Sequence, residues 1–115
     1  MTTSGARRNA QGERDARQED IRHRRALVLS EVAAEGTVGL SRVLRRAMSD
    51  DDDAAAIPVS ALVHAVPGMT AMDGYELMVR AHINGGDVAG DLDPGQRVAL
   101  LELVRITDHM RRDLG

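Results

Sequence analysis

The side chains that could do chemistry are scattered rather than gathered. The four histidines, His23, His64, His82 and His109, fall in four separate segments. No two have the i,i+4 spacing that puts two imidazoles on one helical metal, so they read as surface or half-buried residues. The run Asp50 to Asp53 invites a cation, but a calcium loop counted from Asp50 would need glycine sixth and glutamate twelfth. Those positions hold Ala55 and Ala61, so the run reads as a solvated acidic loop. Its charge could partly neutralise arginines nearby. Ser30, Ser41, Ser49 and Ser60 have no Gly-x-Ser-x-Gly around them, and Gly85, Gly86 and Gly90 follow a helix rather than a strand. With no cysteine there is no thiolate site and no disulfide. The expectation is a protein that is not an enzyme, with no metal and no cofactor.

Arginine remains. All fifteen basic residues are Arg, which codon bias alone can produce, so their distribution matters more than their type. Residues 1–48 hold ten arginines against six acids, and residues 49–115 hold five against twelve. The net charge of −3 therefore hides a first half at +4 and a second at −7. Such asymmetry points to nucleic-acid contact. A single tyrosine, with no Phe or Trp, rules out an aromatic stacking platform for single strands. The other reading of the same asymmetry is a solvated helix of mixed charges.

The elements that would carry these arginines read as helices. Residues 1–12 are small, polar and aperiodic, and read as a flexible tail. A long helix is expected over 13–35, free of Gly and Pro, with Ile21, Val28 and Val32 on one face and Leu29 beside them. Glu13–Arg17 and Asp20–Arg24 are spaced to support it as i,i+4 pairs, and Gly36 stops it. A second helix is expected over 40–48, burying Leu40, Val43, Leu44 and Ala47. Ile57-Pro58 then marks a break or a fraying end.

A third helix over 60–66 takes Ser60 as N-cap and Leu62, Val63 and Val66 as its inner face. Pro67-Gly68 ends it. Thr70 and Asp73 have capping-box spacing for a fourth helix running to about His82, with Leu77, Met78 and Ala81 inward. Asp93-Pro94-Gly95-Gln96 has an N-cap, Pro at N1 and an N3 partner for the last helix. Val98, Leu101, Leu100, Leu103 and Val104 form its apolar side. The fold class is all-α: a long N-terminal helix packed on a compact core of about four shorter helices, spanning 40–109. No stretch has the length and apolar character of a membrane span or signal peptide, so the reading is a soluble cytoplasmic protein.

Three segments together carry a resemblance. They are Val59-Ser60-Ala61-Leu62-Val63-His64-Ala65-Val66-Pro67, Gln96-Arg97-Val98-Ala99-Leu100-Leu101-Glu102, and Leu40-Ser41-Arg42-Val43-Leu44-Arg45-Arg46-Ala47 with Ser49-Asp50 after it. Over residues 22–104 the chain resembles the actinobacterial integration host factor family. The resemblance implies a helix-two-turn-helix core in a monomeric, nucleoid-associated protein. It also implies low-specificity binding of duplex DNA, bending or compaction, and support of recombinases in site-specific recombination. Where family members carry Lys, Gly, Lys and Arg through the two-turn segment, this chain has Gly68, Thr70, Ala71 and Asp73. Asp87, Val88 and Gly90 replace a later basic cluster, and Arg97 persists.

Contact is therefore expected to shift to the first two helices: Arg17, Arg24 and Arg25 with Arg42, Arg45 and Arg46 as one positive surface. Arg97 joins them, and the backbone N–H groups from Gly68 and Thr70 onward could meet a phosphate. The alternative is a protein-interaction module of the same fold that has lost most DNA binding and modulates a host or recombination protein. Its acidic second half would suit a basic partner.

Overall fold

The computed structural model describes the backbone of residues 2–114 and the side chains of residues 12–111. Over residues 2–12, where a flexible tail was expected, the backbone continues the first helix, which therefore starts well before residue 13. Six α-helices follow in order: α1 Thr2–Glu35, α2 Thr37–Ala47, α3 Asp52–Ala55, α4 Val59–Ala65, α5 Ala71–Arg80 and α6 Pro94–Leu114. A 3₁₀ turn, Ala89–Asp91, lies between the last two. The described residues form no strand, only one isolated bridge between Pro58 and Val88. The fold is all-α, with a long first helix, as expected. The core holds one helix more than expected, the short α3, and its last helix is long.

The α1–α2 hairpin sets the frame. Gly36 takes φ +62°, closing α1 with its N–H on Val32 O (2.7 Å) and opening α2 with its carbonyl on Leu40 N (3.0 Å). Glycine reaches this left-handed conformation without steric cost, so α2 starts at Thr37 rather than at Leu40. One turn on, α2 presses against α1 at Gly39. A Cβ there would sit 2.8 Å from Glu31 O and 3.2 Å from Val32 Cα. Past this contact Leu40, Val43, Leu44 and Ala47 are buried with Val28 and Val32 of α1. Residues 12–20 of α1 are exposed on every side, and Ile21 is the first partly covered residue.

Caps explain most helix boundaries. Asp51 accepts the Ala54 N–H (3.0 Å) and nucleates α3 where a break or frayed end was expected. Asp93 accepts the Gln96 N–H (2.7 Å) while Gln96 accepts the Asp93 N–H (3.0 Å), the reciprocal capping expected for α6. Ser60 is not the cap of α4. The Val59 N–H is held by Asp87 O (3.1 Å), and Pro58 stands at the N-cap without a side-chain bond.

Helix α5 ends at Arg80, short of His82, because Ile83 N bonds Met78 O (2.8 Å) and His82 N bonds Val79 O (3.1 Å). This is a Schellman closure. It puts His82 at φ +58° and folds Ile83 into the core.

The core is wholly aliphatic, with methionine, and among the described residues no polar side chain is buried in it. Leu40, Leu44, Ile57, Leu62, Leu92 and Leu100 are its largest fully enclosed members. On α6 the buried stripe is Leu100 and Val104, with Leu101 and Leu103 half-covered. Val98, expected inside, is 68% exposed, because its position points away from that stripe at 100° per residue.

Gly39→Ala should destabilise the fold by about 1–3 kcal/mol, because the added methyl meets backbone that cannot move without parting the hairpin. Leu44→Ala should cost about 2–5 kcal/mol through the cavity it leaves. Urea unfolding followed by circular dichroism measures both, and a Gly39→Ala midpoint at or above that of the parent would contradict the close approach.

Candidate nucleic-acid interface

Helix geometry divides the expected arginine surface. Arg42 and Arg46 are four residues apart and share one side of α2, the side toward α1. Arg45 lies about 100° round the helix from Arg46 and faces α6. The hairpin then sets two acids of α1 against the first pair. Arg42 Nη1 lies 2.7 Å from Glu35 and 3.6 Å from Glu31. Arg46 Nη1 donates to both oxygens of Glu31, at 3.0 and 3.2 Å. Arg46 Nε is 3.3 Å from Asp51 Oδ2, near enough for ion pairing but not aligned as a hydrogen bond. Arg24 turns from Asp20, its expected helical partner, to Asp53 on α3 at 2.9 Å.

Three of the six arginines expected to form one positive surface are thus held by carboxylates. Exposed pairs of this kind stabilise little, but a guanidinium already facing an acid offers reduced charge to a phosphate. Arg17 is exposed on α1, and Arg25 is half-buried with its Nε unbonded. Neither stands beside Arg45 in a common cleft.

Arg45 instead shares a cleft with Arg97. The two line a cleft of about 230 Å³ between α2 and α6, with Ser41, Pro94 and Val98 at its walls. Among the described residues neither has an ion-pair partner, and Arg97 Nε is shut from solvent without an acceptor. A buried donor left unbonded costs about 1–3 kcal/mol, while the exposed guanidinium nitrogens can meet an anion.

The two-turn segment between α4 and α5 is less bare of cations than its own residues suggest. Gly68 takes φ +81°, and Thr70 caps α5 through a full capping box. The Asp73 N–H donates to Thr70 Oγ1 (3.1 Å), and the Thr70 N–H donates to Asp73 Oδ2 (3.1 Å). Arg111 reaches over from the far end of α6, with its Cδ 3.9 Å from where a Gly68 Cβ would stand, and pairs with Asp73. The Asp73 carboxyl is held below the usual range, first by the Thr70 N–H, then by the Thr70 hydroxyl and by Arg111. Sequence reasoning missed Arg111, because 38 residues separate it from its partner.

Among the described residues no group of three or more His, Asp or Glu is placed to hold a metal ion, and no helix is long and apolar enough to cross a membrane.

This architecture, a long helix doubled back on a compact helical core with a capped two-turn connection, defines an integration-host-factor-like fold. A solved structure similar to it is that of sIHF bound to an 8 bp palindromic DNA. The TM-score is 0.69 at 23% identity, over 76% of this chain and 96% of that one. No family model and no curated protein matches the chain. At that identity the likeness is one of fold.

The capping box makes a pH-dependent prediction. A carboxyl whose pKa is lowered by folding contributes stability that is present above its unfolded value and lost as pH falls through the folded one. Asp73→Asn should therefore be less stable than the parent at pH 7, with the difference shrinking below about pH 4. Thr70→Ala should cost about 1 kcal/mol. Urea titrations at the two pH values test both, and a constant Asp73→Asn deficit at all pH would contradict the assignment.

Proposed function

We propose that this chain is a divergent integration-host-factor-like protein that binds duplex DNA through its phosphates, with little sequence preference and without catalysis. The observation that carries the reading is the Arg45–Arg97 cleft, lined by two arginines that have no ion-pair partner among the described residues, on a fold whose solved neighbour holds DNA. Fixed cations without local acids attract phosphate and release counterions when they meet it. Such contacts position a protein on a duplex without reading its bases.

Arg45 and Arg97 lead the contact set. Arg17 and Arg25 add charge along α1. Gly68 and Thr70, with Arg111 beside them, form a second, weaker contact at the start of α5. Arg42 and Arg46 stay on their carboxylates and chiefly brace the hairpin, and Arg24 ties α1 to α3. Bending or compaction of DNA, a place in the bacterial nucleoid within the cytoplasm, and support of a recombinase follow from the same reading.

A second reading, the protein-interaction module, draws on the apolar outer face of α5, where Met72, Tyr75 and Val79 are exposed. The acidity of the second half supports it less than expected. The carboxylates of Asp51, Asp73, Asp87, Asp91 and Asp93 all accept backbone N–H groups.

Fluorescence anisotropy with a labelled duplex across a salt series tests the proposal. The parent should lose affinity steeply as salt rises. The double variant Arg45→Gln/Arg97→Gln should bind about tenfold more weakly at low salt, with a salt slope flatter by about two. Arg42→Gln should bind almost as the parent does. No binding at low salt would overturn the DNA reading in favour of the interaction module.

A further inference from the structure

Val98 is exposed, but it is not isolated. It forms part of the cleft that Arg45 and Arg97 line. Helix spacing orders that wall of the cleft. Pro94, Val98 and Leu101 follow one another at steps of four and three on α6, so they make one apolar strip. Arg97 stands beside the strip, next to Val98 in the chain. Across the cleft, α2 supplies Ser41 and, one turn on, Arg45.

The cleft therefore joins two chemistries, cations that suit a phosphate and an apolar strip that does not. At about 230 Å³ it is roomier than a phosphate group alone requires. In a nucleic-acid backbone the neighbour of every phosphate is a sugar, and proteins that hold the backbone touch both. In DNA the 2′ position of that sugar is a methylene. In RNA it carries a hydroxyl that can donate and accept.

On the DNA reading given above, we infer that the strip of Pro94, Val98 and Leu101 seats the deoxyribose next to a phosphate held by Arg45 and Arg97, and that Val98 makes the cleft select deoxyribose over ribose. Contact with the sugar takes the valine methyls and the 2′ methylene out of water together, which is favourable. A 2′-hydroxyl in the same place would be buried against methyl groups that offer it no hydrogen bond. A hydroxyl buried without a partner weakens binding about tenfold. The cleft's own hydroxyl, on Ser41, stands on the opposite wall with Arg45, where it can donate to the phosphate that DNA and RNA share.

Salt dependence separates the two chemistries. The slope of log affinity against log salt counts the phosphates met by cations, and the value extrapolated to about 1 M salt keeps the part that is not electrostatic. Fluorescence anisotropy of the full chain with a labelled DNA duplex, and with an RNA duplex of the same sequence, reads both. The parent should hold the DNA about tenfold more tightly than the RNA at equal salt. Val98→Thr exchanges a methyl for a hydroxyl of the same shape on an exposed site, so its helical circular dichroism should match the parent's. It should lower the extrapolated DNA affinity and bring the DNA-to-RNA ratio down to about threefold or less. Ser41→Ala should weaken both duplexes alike. Val38→Thr, at a valine 64% exposed and outside the cleft, should alter neither.

The A-form shape of RNA also distinguishes it from DNA, and Val98→Thr tells the two causes apart. A ratio in that variant as large as the parent's means that shape alone selects, and it overturns the inference. So does a parent that binds both duplexes equally, while the DNA reading stands in either case. No binding of DNA at low salt overturns the two together.

Discussion

The close approach of α2 to α1 is the constraint on which the rest depends. Because Gly39 lets the two backbones nearly touch, α2 runs back along α1 with its apolar stripe on Val28 and Val32. The same approach sets Arg42 and Arg46 opposite Glu31 and Glu35. It fixes which arginines are satisfied within the molecule and, by turning α2 about its axis, leaves Arg45 on the far side against α6. Cation availability here is a result of packing. Charge content alone would have ranked all three α2 arginines alike.

The second half of the molecule is organised by short-range bonds instead. Thr70 with Asp73, Asn84 with Asp87, Val88 with Asp91, and Asp93 with Gln96 each join a backbone N–H to a side chain three residues on. Each spares an otherwise unmet donor at a turn or helix start. Much of the negative charge of this half is thus committed to holding the chain's corners. The face left over is apolar, on α5, which is why the electrostatic contrast between the halves says less about partners than its size suggests.

What could be read from the sequence follows this division. The two reciprocal caps were legible because both partners lie three residues apart. The buried stripe of α2 was legible because it repeats every helical turn. Three features were not legible: the start of α2 at Thr37, the short α3, and the outward placement of Val98. Each is decided by what the rest of the fold presses against those residues.

The arginines were identifiable as the chemically useful set, but their division into paired and unpaired was not. One signal was present: Glu31 and Glu35, then Arg42 and Arg46, with a glycine stop between. Two opposite i,i+4 pairs flanking a tight turn must face one another once the hairpin closes. The Arg111–Asp73 contact left no such trace.

The core of this protein contains no aromatic plate and, among the described residues, no buried polar group that would demand a particular partner. Its members are branched aliphatic chains and methionine, which exchange for one another at low cost when volume is conserved. Little inside the molecule therefore ties the fold to any one spelling of the sequence. A chain built this way can exchange many of its letters while its shape persists, so likeness stays measurable in the course of the backbone where little of it is left in the sequence.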